Sequence, residues 1–150
     1  MRPVTSILFL VAAGCGAGVQ SEPALGMREC NAADGPLHDY SSTAELNQLI
    51  VGTWVHCSGP TLMGPEEQGV EFLGGGTYYV LVSDGQGGLA RETGFDGQGT
   101  WIGLQLTPTS VEFTWDNTSH TGDEGTVAFE DNPQKLSVAL GESSIYALFP

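Results

Sequence analysis

Gly69-Val70-Glu71-Phe72-Leu73-Gly74-Gly75-Gly76-Thr77-Tyr78-Tyr79-Val80-Leu81-Val82-Ser83 is the stretch that sets the fold class. Val70 and Phe72, then Tyr78, Val80 and Val82, recur at every second residue, the period of a strand with one buried face. The three glycines between the two runs allow the positive φ that a tight hairpin needs. Working outward, Asp84-Gly85-Gln86-Gly87 reads as the next turn, Leu89 to Thr93 as a short strand, Asp96-Gly97-Gln98-Gly99 as another tip, and Trp101 to Leu106 as a further strand. The same four residues thus recur at roughly the 12-residue spacing of strands in an all-β domain. Neither copy is followed by a lysine and a helix start, so they read as hairpin tips and not as a phosphate-cradling loop.

The pattern continues to the carboxyl end. Val111, Phe113 and Trp115 alternate with Glu112 and Thr114, and a polar tip spans Asp116 to Gly125. Val127 and Phe129, then Leu136, Val138 and Leu140, then Ile145, Ala147 and Phe149 beside Tyr146 complete the series. With Trp54 to Cys57 this makes about eight or nine strands joined mostly by short turns. A meandering antiparallel sheet of that length most simply closes into an up-and-down barrel, which removes its edges. One short helix precedes it: Ser42-Thr43-Ala44-Glu45 is a capping-box pattern, and Leu46, Leu49 and Ile50 recur at helical spacing before Gly52. The expected fold is therefore an all-β, antiparallel up-and-down barrel with one short amino-terminal helix, over residues 42–150.

Composition narrows the partners. Only 4 residues are Lys or Arg against 18 Asp or Glu, for a net charge of −14. Nucleic acid is excluded as a partner, because phosphate binding needs clustered cations. No catalytic constellation emerges: His38, His56 and His120 have no nucleophile that sequence places beside them. The loop Asp116 to Glu124 carries oxygen ligands without the spacing of a calcium-binding loop, so no metal and no cofactor is expected.

The chain opens with Met1-Arg2, a mostly apolar run from Ile7 to Ala13, and Gly14-Cys15. A positive residue, a short hydrophobic stretch and small residues before a cut site make an export signal, and the run is too short to span a bilayer. Val11-Ala12-Ala13-Gly14-Cys15 resembles the bacterial lipobox, whose cysteine is acylated and becomes the new first residue. The resemblance implies a signal peptide over residues 1–14, lipidation at Cys15 and a lipid-anchored envelope protein; cleavage by an ordinary signal peptidase is the alternative. Gly16 after the cysteine implies the outer membrane of a Gram-negative host. Residues 15–41, rich in Gly, Pro and acids, read as a tether. Lipidating Cys15 leaves Cys30 and Cys57 to pair in an oxidising compartment. Closing that loop would contribute about 3 to 4 kcal/mol on the chain-entropy account.

The helix, then Gly52-Thr53-Trp54, then the glycine-tipped hairpin with Val70-Glu71-Phe72 and Thr77-Tyr78-Tyr79, is similar to lipocalin-like domains of bacterial proteins. The resemblance implies an eight-stranded barrel whose base is closed by Trp54. Gly99-Thr100-Trp101 repeats the unit, so pattern alone leaves Trp54 and Trp101 both open for that role. Trp54, Phe72, Tyr78, Val80, Trp101, Phe113, Trp115 and Phe129 are the candidate barrel interior, and they could line a pocket or fill a core. The expected function is a non-enzymatic envelope lipoprotein binding a small hydrophobic ligand. The alternative is a structural or protein-interaction module with a filled core, presenting acidic loops to an envelope protein partner.

Overall fold

The structure, a computed structural model, describes residues 30–59, 67–94, 97–107, 109–118, 121–131 and 134–149. Cys15, the residues of the expected signal and His120 lie outside them. A helix α1 (Thr43–Leu49) is followed by β1 (Gly52–Ser58), β2 (Gly69–Leu73), β3 (Thr77–Ser83), β4 (Leu89–Arg91), β5 (Gln98–Leu106), β6 (Val111–Asp116), β7 (Asp123–Asp131), β8 (Gln134–Leu140) and β9 (Glu142–Phe149). All neighbouring strands are antiparallel, and β1 pairs with both β2 and β9, so eight strands close into a barrel. The extra strand is β4, which continues the flank of β3 where β5 leaves off: β5 pairs with Thr77–Tyr79, and β4 with Leu81–Ser83.

The period-two residues face inward. Val70, Phe72, Tyr78, Val80, Trp101, Val111, Phe113, Trp115, Val127, Phe129, Leu136 and Val138 are buried in one cluster. In β9 the inward side differs from the sequence expectation. Tyr146 is fully buried while Ile145 is only half-buried, because pairing of Tyr146 with Leu136 and His56 puts the tyrosine on the core face. The hairpin turn lies at Gly74–Gly76, with positive φ at Gly75 and Gly76, as expected. The first Asp-Gly-Gln-Gly is a turn: the Asp84 carboxylate accepts the N–H groups of Gln86 (2.7 Å) and Gly88 (2.9 Å). The second copy is not a tip throughout, since Gln98 and Gly99 already belong to β5. Gly99 is required there because the Tyr78 ring occupies the space a side chain would take.

The capping box is displaced by one residue. Ser42 makes no side-chain cap, and Glu45 instead accepts from the N–H (2.8 Å) and hydroxyl (2.7 Å) of Ser41. Those bonds, with His38, hold the Glu45 carboxyl down to about 2. Leu46 and Ile50 are buried and seat the helix across one end of the barrel.

Residues 30–41, the described part of the expected tether, lie against the barrel. Cys30 and Cys57 form a disulfide with their Cα atoms 5.3 Å apart, an ordinary span for the bond. The Lys135 ammonium is buried beneath the arm and donates to the Ala32 carbonyl (2.6 Å) and to Asp34 (3.0 Å). Gly35 N–H donates to Glu130, Leu37 bridges Glu130, and His38 N–H donates to the Phe129 carbonyl. A buried ammonium needs such partners, since an unpaired charge out of water costs far more than it returns.

Candidate functional site

All eight candidate interior residues point into the barrel and are buried: Trp54, Phe72, Tyr78, Val80, Trp101, Phe113, Trp115 and Phe129. They touch one another. Tyr78 stacks on Trp115 with ring centroids 3.8 Å apart, and Phe72 lies edge-on to Trp101 at 5.8 Å and to Trp115 at 5.9 Å. Phe113 meets Trp115 at 6.1 Å, and Trp54 meets Phe129 at 6.0 Å. These are the offset and edge-to-face distances at which aromatic rings attract each other, so the side chains form a packed interior.

The two tryptophans of the repeated Gly-Thr-Trp unit differ. The Trp54 indole N–H donates to the Ile50 carbonyl at the end of α1 (2.7 Å), joining the helix to the first strand. Trp101 is equally buried, but its indole nitrogen has no hydrogen-bond partner among the described residues. Trp54 therefore ties the first strand to the end of α1.

Polar groups gather at both ends. At the helix end His38 lies between Glu45 (3.0 Å) and Asp131 (2.7 Å), with its ring against Tyr40 and Phe129. The hydrogen bond to Glu45, more than that to Asp131, raises its pKa above the ordinary histidine value. Toward the other end of β1, the buried Tyr146 hydroxyl donates to Glu67 (3.0 Å), and His56 lies edge-on to the Tyr146 ring at 5.2 Å. Among the described residues His56 Nε2 has no hydrogen-bond partner, and burial lowers the pKa of the ring. Sequence reading did not single out Glu67 or Tyr146, and nothing in the local pattern announces the pair, which joins residues 79 apart.

What this arrangement can do chemically is limited. Cys30 and Cys57 are oxidised, so the described residues offer no thiol nucleophile. Among them no group of three His, Cys, Asp or Glu side chains is placed to hold a metal ion. The Asp116 carboxylate, in the loop weighed for calcium, accepts the Gly122 N–H and so serves the turn. An open depression of about 540 Å³ lies outside the barrel near Gln98, Thr100 and Asn117. A narrower cleft of about 290 Å³ lies between the start of α1, the Gly75-Gly76 turn and Gly103 of β5.

No family model matches the chain, and neither a curated protein nor a solved structure does.

Proposed function

We propose that this is an exported envelope lipoprotein, tethered through Cys15, whose lipocalin-like barrel has a filled core and acts as a non-catalytic module that binds a basic protein partner. The observation that carries the reading is the aromatic interior: Phe72, Tyr78, Trp101, Phe113 and Trp115 contact one another along the barrel, so the inside serves stability. Carriage of a small hydrophobic ligand, the other expectation, would require these rings to part. With the interior occupied, recognition falls to the outer surface, and a chain of net charge −14 favours a partner rich in Lys and Arg. The lipobox resemblance at Val11 to Cys15 supports the membrane address, and the disulfide accords with an oxidising compartment.

The test is native mass spectrometry of the chain released from envelopes by mild detergent, before and after organic extraction, with a Cys15→Ala variant in parallel. The expected results are a lipid mass on Cys15, release of the variant to the soluble fraction, and no second apolar mass. An extractable apolar ligand beyond the anchor would overturn the filled-core reading. A variant that stays in the membrane would overturn the tether.

A further inference from the structure

The outer face of β5, β6 and β7 brings exposed apolar side chains and unpaired acids together. α1 packs on the flank of β5, where Leu46 lies against Gly103, and the arm is bonded to β7 at Phe129 and Asp131. The outward residues between these two attachments stay open: Ile102, Leu104, Glu112 and Glu124 are all exposed. Among the described residues only four large apolar side chains are exposed, and two of them, Ile102 at 60% and Leu104 at 49%, are neighbours on this strand. Scattered single apolar residues are ordinary on a surface, but an adjacent pair marks a contact.

The register lays these residues out in two rows. Ile102 pairs with Thr114, which pairs with Glu124. The pairing then passes from Gly103 with Phe113 to Gln105 with Glu112, so Leu104 and Gln105 together oppose Glu112. Apolar surface therefore runs along β5, and carboxylates lie one and two strands away from it. Glu112 pairs with Thr126, which makes Glu124 its diagonal neighbour, about 7 to 8 Å away. Neither carboxylate is in an ion pair among the described residues, whereas Glu71 is met by Arg91 and Asp34 by Lys135. Two like charges so placed repel until a cation lies between them. Beside Ile102, a cleft of about 290 Å³ reaches to Asn47 of α1 and the Gly75-Gly76 turn, and gives the face depth for a side chain.

We propose that this face docks a basic, amphipathic helix of a partner protein, its apolar stripe on Ile102 and Leu104 and its cations on Glu112 and Glu124. The inference rests on the interaction reading above and gives it a place and a partner chemistry. The spread from β5 to β7, two strand spacings or about 10 Å, matches a helix about 10 to 12 Å across. Burial of the apolar pair would supply affinity, and the carboxylates would set orientation and reject acidic partners. Charge decides against a second copy as the occupant. Two chains of −14 repel, and a two-fold contact would bring the same acids to both sides.

The probe is a synthetic helix of about 18 residues on an alanine background, long enough to be helical alone, with adjoining leucine and lysine stripes. It is titrated into the oxidised full-length chain in detergent, and binding is followed by the amide resonances of Ile102, Leu104, Glu112 and Glu124. Saturable shifts centred on these four are expected. Ile102→Thr with Leu104→Thr, which keeps strand-forming side chains in place, should weaken binding by roughly tenfold or more. Glu112→Gln and Glu124→Gln should each weaken it about two- to fivefold at low salt. Glu142→Gln removes the same charge beside the turn between β8 and β9 and should leave the affinity unchanged. All five positions are exposed, so every variant should keep the parent circular dichroism spectrum. A probe with glutamate in place of lysine should not bind. Shifts centred elsewhere, equal weakening by Glu142→Gln, unchanged affinity in the threonine variant, or no binding at millimolar peptide would each overturn the proposal. So would a chain dimer that the threonine variant dissociates, which would assign the face to a second copy. A basic envelope partner that cross-links away from Ile102 and Glu112 would overturn this site alone, whereas absence of any protein partner would overturn the interaction reading itself.

Discussion

The two ends of the barrel each hold a histidine, and they treat it in opposite ways. His38, at the helix end, is clasped by Glu45 and Asp131, and its pKa is raised. His56, toward the far end of β1, lies against Tyr146 with Nε2 unpartnered among the described residues, and burial lowers its pKa. The difference shows what each end is built for. The helix end is a junction where arm, helix and β7 are tied by charge, whereas the other end accepts a desolvated ring at the edge of the core.

The largest expected effect falls at the junction. Trp54→Ala removes both the indole that packs on Phe129 and the bond to Ile50, and should cost about 3 to 5 kcal/mol by urea denaturation. A loss under about 1 kcal/mol would break the view that Trp54 secures the helix. Next, replacing Cys30 and Cys57 together by serine should cost about 3 to 4 kcal/mol. If the arm is also held by Lys135, hydrogen exchange should show residues 32–38 still protected in that variant.

The acid limb comes third. A histidine whose folded pKa lies below its unfolded value, about 6.5, favours folding above that value and loses the contribution as pH falls through it toward the folded pKa. His56→Phe should therefore flatten the fall of melting temperature on acidification, by at most the slope of one proton, about 1.4 kcal/mol per pH unit. The smallest effect has the opposite sign. The His38 contribution is fully present below the unfolded pKa and is lost as pH rises through the raised folded pKa, so His38→Gln should flatten the alkaline side. That change should be slight because the cluster is partly open to water and screened. Identical pH profiles for the two variants would erase the distinction between the ends.

Much of the barrel was legible because burial on one face forces a period of two. Val70, Phe72, Tyr78, Val80, Phe113 and Trp115 are read from spacing alone and are all buried. The eight candidate interior residues are buried, but spacing is blind to whether facing rings leave a gap, which depends on contacts such as Tyr78 to Trp115 across strands. In β9 apolar residues stand on both faces, so alternation had two solutions, and only pairing with β8 selected Tyr146. The docked arm was illegible for another reason. Its Gly-Pro and acidic composition reads as tether, and its partners Glu130, Asp131 and Lys135 lie about a hundred positions away.

The disulfide also fixes how the molecule bears force. A pull applied ahead of Cys30 crosses the sulfur–sulfur bond directly into Cys57, within a strand hydrogen-bonded to β2 and β9. Residues 31–51, which include the docked arm and α1, lie in the loop that the bond closes, so that path bypasses them. The lid of the barrel thus stays seated when the amino end is tugged, and the strain goes to the sheet.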